Sequence, residues 1–122
     1  MKGPLDPTRL DPVLHERVRL GILTLLVQAD ELDFTTLKEA LGVTDGNLAQ
    51  HLRVLEEAGI IAVRKTFVGR RPRTYYRLTP QGRRRFLEYL ERLRTLLQSL
   101  LPSGEEESSE SYPPDPPEPL HV

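Results

Sequence analysis

The spacing of apolar residues changes at Gly59, and that change limits the fold more than any other feature of the 122-residue chain. Before it, Leu48, Leu52 and Leu55 recur at intervals of four and three, the repeat of one helix face. After it, Ile61 and Val63 alternate with Arg64 and Thr66, and Tyr76 and Leu78 repeat the same period of two across 74–78. A helix that stops at a glycine and passes directly into two strands predicts a helix followed by a β hairpin. Gly69 and Pro72 lie between the strands, and Pro72 has no N–H to give to a ladder, so a long basic tip is expected there.

Upstream, Asp11-Pro12 is expected to cap and open a helix over about 12–29, with Leu14, Val18, Ile22, Leu25 and Leu26 on its apolar side. Asp30 to Asp33 is a polar break, and Phe34 offers a brief strand contact. Thr36 and Glu39 have capping-box spacing for a short second helix that carries Leu37 and Leu41 inward and ends at Gly42. Thr44 is the expected cap of the next helix, 45–58, with Asp45 favourable in its first turn. Two short helices joined by a tight turn form a helix-turn-helix pattern, and the hairpin that follows supplies a wing.

Thr79-Pro80 restarts helical structure as cap plus first-turn proline. From there to about 101, Phe86, Leu90, Leu93, Leu97 and Leu100 step by four and three like a coiled-coil seam, and Leu87, Leu96 and Leu101 widen the apolar surface. So short a chain has little of its own left to cover these leucines, so docking onto a second copy is expected through this helix and the first one: Leu14, Val18, Phe86, Leu90, Leu93, Leu97 and Leu100. The fold class is therefore mainly α with a β wing, a winged helix-turn-helix with a long C-terminal dimerisation helix. Residues 1–11 read as an N-terminal extension and 12–101 as the folded domain. Residues 102–122, rich in Pro and acids, read as a disordered tail.

The net charge of -1 hides a division along the chain. All seventeen Lys and Arg but only twelve of the eighteen acids fall within residues 1–101, which therefore carry +5. Nine of those bases, Arg64, Lys65, Arg70, Arg71, Arg73, Arg77, Arg83, Arg84 and Arg85, occupy a run from Ile60 to Arg85 without a single carboxylate. Such a run suits a polyanion. On the 45–58 helix, the leucine face leaves Asn47, Gln50, His51 and Arg53 to point outward. Asn and Gln pair bidentately with adenine edges, and Arg with guanine, in a major groove. Thr44 and the first-turn N–H groups are placed for a phosphate, while Arg70, Arg71 and Arg73 on the hairpin are placed for the adjacent minor groove.

Several classes of chemistry find no support. With no Cys, the chain has neither disulfide nor thiolate, and His15, His51 and His121 are too scattered to form a recognisable metal set. No phosphate loop, dinucleotide loop or paired-histidine zinc motif appears, so no enzyme and no cofactor are expected. No apolar run reaches membrane-spanning length and the first residues lack the apolar core of an export signal, which makes a cytoplasmic location without membrane contact the expectation.

Three segments, L-D-P-V-L-H-E-R-V-R-L-G-I-L, D-F-T-T-L-K-E-A-L-G-V-T-D-G-N-L-A-Q-H-L-R-V-L-E-E-A-G-I-I and K-T-F-V-G-R-R-P-R-T-Y-Y-R-L-T-P-Q-G-R, occur in this order. Over about residues 9–100 the chain resembles the small winged-helix transcriptional regulators of the ArsR and MarR-like superfamily. The resemblance implies a homodimer on operator-like duplex DNA, with the 45–58 helix in the major groove and the 66–74 wing beside it. It carries Thr44, Asn47, Gln50 and His51 onto the recognition surface and Arg70, Arg71 and Arg73 onto the wing. Metal-sensing relatives use a thiolate motif that is missing here; a small-molecule effector between the DNA-binding lobe and the dimer helices stays open, with no ligand specified. The expected function is a sequence-specific DNA-binding regulator, a repressor acting on a palindromic operator. The alternative is a protein-interaction winged helix whose basic face meets an acidic partner and whose leucine helix joins a larger assembly.

Overall fold

The computed structural model describes residue 3 and residues 6–102; the acidic tail and part of the N-terminal extension lie outside the described residues. After a 3-10 turn at Pro7–Arg9 come α1 (Arg17–Val27), β1 (Leu32–Asp33), α2 (Phe34–Leu41), α3 (Asp45–Glu57), β2 (Ile61–Val68), β3 (Arg71–Leu78) and α4 (Pro80–Leu100). The three strands form one antiparallel sheet in the order β1-β3-β2. The fold is thus mainly helical with a β wing, and no described helix is long and apolar enough to cross a membrane.

The predicted apolar faces make one core. Leu48, Leu52 and Leu55 of α3 meet Ile22, Leu23 and Leu26 of α1, Leu37 of α2, and Ile61 and Tyr76 of the sheet, each nearly or wholly buried. The strand register sets Ile61 opposite Leu78 and Val63 opposite Tyr76, which places the alternating apolar set on a single face. Burying a Leu or Ile side chain contributes about 2 kcal/mol, so this shared core holds the elements on which the candidate site is built.

The chain departs from expectation at both early helix starts. Asp11 caps only a single turn, in which its side chain accepts from Val13 N–H at 3.0 Å and its carbonyl from Leu14 and His15. The path then breaks, and α1 begins at Arg17 with Glu16 as cap, accepting from Arg19 N–H at 2.8 Å. The break lets Leu14 point fully into the core while His15 Nδ1 meets the Tyr89 hydroxyl of α4 at 2.7 Å. A continuous helix from residue 12 would rotate one of them away. For α2, Asp33 rather than Thr36 is the cap: its carboxylate accepts from Thr36 N–H at 3.0 Å, which starts the helix three residues earlier. Both residues carry capping chemistry, and the charged acceptor nearer the strand takes the position.

The hairpin also differs from a long tip. Strand pairing continues to Val68 opposite Arg71, leaving a two-residue turn, Gly69-Arg70. Gly69 has φ +65° and Arg70 has no positive φ, as a tight turn with glycine in its first central position requires. Pro72 lies within β3, opposite Phe67. β1 reaches only Tyr75 and Tyr76, so β3 has a free edge at Pro72 where a missing N–H costs nothing.

The start of α4 is fastened to the α3–β2 connection. Thr79 accepts from Gly82 N–H at 2.9 Å and its hydroxyl reaches the Gly59 and Ile60 carbonyls at 2.7 and 3.1 Å. One turn on, Arg85 donates to both oxygens of Asp11, through Nε to Oδ2 and through a terminal nitrogen to Oδ1 at 3.0 Å. The Arg85 hydrogen bonds hold the Asp11 carboxyl below the usual carboxylate range. Because the folded-state value is the lower one, the pair stabilises the protein above the unfolded value of about 3.9, and the contribution is lost as pH falls through the folded value. For a half-exposed bidentate pair it is worth about 1 kcal/mol. Thermal unfolding of Asp11→Asn is expected to show that loss at pH 7, with the gap to the parent narrowing as pH falls below the unfolded value of about 3.9. An equal gap above and below that value would remove the ion pair from the account.

Candidate nucleic-acid interface

Burial divides α3 as the leucine period predicts. Gln50 and Arg53 are exposed and Asn47 is half-buried, opposite the fully enclosed Leu48 and Leu55. Thr44 caps the helix by accepting from Asn47 N–H at 3.1 Å, which fixes the first turn and leaves its leading N–H groups outward. Thr44 and Asn47 line an open groove of about 470 Å³ together with Arg17, Val18, Leu41, Gly42 and Val43. Arg17, the first residue of α1, therefore adds a cation to the N-terminal end of α3. Nothing local in the sequence pairs Arg17 with Asn47; only the crossing of α1 and α3 does.

Asp45, a carboxylate on a surface suited to phosphate, forms an ion pair with Lys38 of α2 at 3.0 Å. Lys38 offsets the charge that would otherwise oppose an anion at the helix start.

His51 is turned away from the exposed side. Its side chain is 13% exposed, and Nδ1 lies 2.9 Å from an Arg19 terminal nitrogen and 3.5 Å from Glu16 Oε1. Arg19 can only donate, so Nδ1 accepts and the ring serves as a bridge from α3 to α1. Burial works against ionisation of Glu16, but the Arg19 N–H and the nearby Arg19 charge act the other way, and this carboxyl is held below its ordinary value. The helical position of His51 suited outward contact equally well; the polar pair at the end of α1 decides its direction.

The basic run is acid-free only along the sequence. Glu31 binds Arg64 through two hydrogen bonds, at 3.1 and 2.6 Å, while Arg64 also lies over the Tyr75 ring, 4.5 Å from its centre. Asp33 stands 3.8 Å from Arg73, and Asp11 takes Arg85. Three of the nine bases are thereby partly neutralised by acids from distant segments. Arg70 and Arg71, both exposed at the turn, have no such partner among the described residues. Lys65 and Arg77 in the strands are likewise exposed and outside the ion pairs among the described residues, so unpaired charge runs along the wing and ends in two adjacent arginines.

The described residues thus combine a helix-turn-helix at α2–α3, packed on α1, with a basic wing and a following long helix. The family profile described as "Winged helix DNA-binding domain" matches residues 18–97. The chain belongs to this family. Within the winged-helix family it is similar to an uncharacterised protein of Methanocaldococcus jannaschii, at 38% identity over 78 residues, covering 64% of this chain and 85% of that protein. It is also similar to the arsenical resistance operon repressor of Escherichia coli K12, at 34% identity over 62% of each chain. Among solved structures, a transcriptional regulator homologue from Pyrococcus horikoshii OT3 aligns with a TM-score of 0.68 at 33% identity, over 72% of this chain and 87% of that one. The chain has the winged-helix fold of ArsR/MarR-like transcriptional regulators.

The leucine surface of this winged-helix protein is smaller than its sequence period implies. Leu14, Val18 and Phe86, expected at a dimer contact, are 0%, 8% and 5% exposed within the protomer's own core. They pack there because the break before α1 and the anchored start of α4 turn them toward α3 and the sheet. Leu93 is half-buried, while Leu87, Leu90, Leu97 and Leu100 are 56%, 40%, 46% and 80% exposed. Between the N-terminal segment and α4 lies a hollow of about 120 Å³ lined by Asp6, Arg9, Leu10, Arg92, Thr95 and Leu96. That is well below the roughly 300 Å³ at which small-molecule sites begin.

Proposed function

We propose that the protein is a homodimeric repressor that reads a two-fold symmetric operator, with α3 in the major groove and the β2–β3 wing at the adjacent minor groove. The observation that carries this reading is the division of α3: its leucines are locked into the core while Gln50, Arg53 and, at the groove with Arg17, Asn47 face outward. Asn47 and Gln50 supply the bidentate pattern for adenine, Arg53 for guanine, and Arg17 with the first turn of α3 a phosphate contact. The exposed leucines of α4 support pairing of two protomers, since an apolar helix face without cover favours a symmetric partner. Repression is inferred from similarity to the E. coli repressor.

The test combines protein selection of duplexes from a randomised pool with sedimentation. A palindromic site with half-sites about 34 Å apart is the expected product. Charging the α4 face with the double variant Leu90→Glu and Leu97→Glu is expected to halve the sedimenting mass. It should also weaken binding to the selected duplex by about 10²-fold or more, since two linked sites lose their mutual effective concentration. A monomeric parent protein that selects a single asymmetric site would refute the dimer. Absence of salt-sensitive binding below about 10 µM at low salt would instead favour the protein-assembly role.

A further inference from the structure

We propose that Phe67, backed by Pro72 across the wing, is an apolar wedge that enters the minor groove and makes the protein select easily deformed base steps beside its operator. The proposal deepens the DNA-reading assignment above and depends on it.

Phe67 is 69% exposed and its neighbour Val68 48%, on a segment where a large apolar side chain gains nothing from the core. The register explains the position. Phe67 lies in phase with Ile61 and Val63, the inward set of β2, and Pro72 opposite it lies in phase with Tyr76 and Leu78. The sheet, however, loses its third strand at Tyr75, where β1 ends. From there to Arg70 the ribbon is two-stranded and runs roughly 16 Å at about 3.3 Å per residue; its β3 side borders Asp33, Phe34 and Thr35 at the start of α2, while Phe67 on β2 stays uncovered. Phe67 and the exposed Pro72 thus form an apolar cross-strand pair near the end of the ribbon.

Charge identifies the occupant. Arg70 and Arg71 adjoin the pair at the turn, Lys65 is exposed two residues before Phe67 on the same face, and Arg70 and Arg71 lack acidic partners among the described residues. An aromatic set among unpaired cations fits a polyanion that also offers flat apolar surfaces, which duplex DNA does at its sugars and base edges. A ribbon whose strands are about 4.8 Å apart is too thick for an undeformed minor groove about 6 Å wide. A single Phe ring supported by a rigid Pro is not, and inserted apolar side chains unstack a step and bend the duplex. Pyrimidine–purine steps such as TA and CA yield most readily, so Phe67 would confer preference at positions without hydrogen bonds to a base.

The experiment uses the full chain and a duplex it has selected from a random pool, with dyes at both ends to report the end-to-end distance. The parent is expected to enrich TA or CA steps under the wing and to shorten that distance on binding. Phe67→Ala is expected to lose the shortening and to bind about tenfold more weakly, in line with loss of an aromatic–base contact, while its salt slope stays that of the parent because no cation is removed. Pro72→Ala, which leaves the ring but softens its support, should fall between them. Equal bending and step preference in Phe67→Ala and parent would overturn the wedge while leaving DNA reading intact. A Phe67→Ala protein that changes its self-association without DNA would overturn it in favour of a protein contact. If the parent selects no duplex, the DNA-reading assignment itself has failed.

Discussion

Gly82→Ala is expected to destabilise the protein by about 3 kcal/mol, although alanine is the better helix former by roughly 1 kcal/mol. Gly82 is buried in the first turn of α4, where a Cβ would lie 2.8 Å from the Ile60 carbonyl carbon and Cα and closer still to the carbonyl oxygen. That backbone cannot retreat without breaking the bonds by which Thr79 holds the Gly59 and Ile60 carbonyls. The methyl group therefore pushes α4 away from the α3–β2 connection. A melting temperature lower by at least about 12 °C is expected for a domain of this size. Gly46→Ala provides the opposite control, because a methyl there meets nothing within 4 Å in α3 and should stabilise by about 0.5–1 kcal/mol. Two substitutions of one kind with effects of opposite sign isolate the close approach; a gain from both would show that α4 does not press on Ile60.

The second large effect concerns DNA affinity. Replacing Arg70 and Arg71 together by alanine should weaken binding to a selected duplex by about 10²–10³-fold near 0.1 M salt. If each arginine neutralises one phosphate in each of two protomers, four contacts disappear and the slope of log affinity against log salt becomes shallower by roughly 3.6. Base preference at the positions under α3 should be unchanged, since phosphate contacts position the protein without reading sequence. Fold stability should also hold, because both side chains are exposed and outside the ion pairs. The same substitution at Arg64 is expected to do much less to the slope, as its charge is already met by Glu31. Filter binding or fluorescence anisotropy over a salt series measures this, and equal slopes for the parent and the double variant would remove the wing tip from the phosphate contact.

The features legible in the sequence share a local origin. Thr44 and Thr79 were recognisable caps because a hydroxyl and the N–H it accepts lie three residues apart, whatever the rest of the chain does. The shared inward face of Ile61, Val63, Tyr76 and Leu78 follows from two alternating patterns, whereas the register depends on a two-residue turn in place of the long tip expected. Some local signals compete: Asp33 and Thr36 both suit a cap, and Asp11-Pro12 suits a long helix as well as a single turn. The surrounding core chose between them by burying Leu14 and by drawing His15 toward Tyr89. Phe67 was missed as a surface residue because its phase is that of a core residue, and no periodicity announces where a neighbouring strand ends.

Periodicity, caps and turn glycines by themselves determined the helix-turn-helix, the wing and the long last helix, because each depends on free energies between residues a few positions apart. Contacts between distant segments decided which arginines remain unpaired, which way His51 points, which leucines stay outside and why a Cβ at position 82 would meet the Ile60 backbone. Acids from residues 11, 31 and 33 reach the basic run only when strands and helices cross, and electrostatics acts through space rather than along the chain.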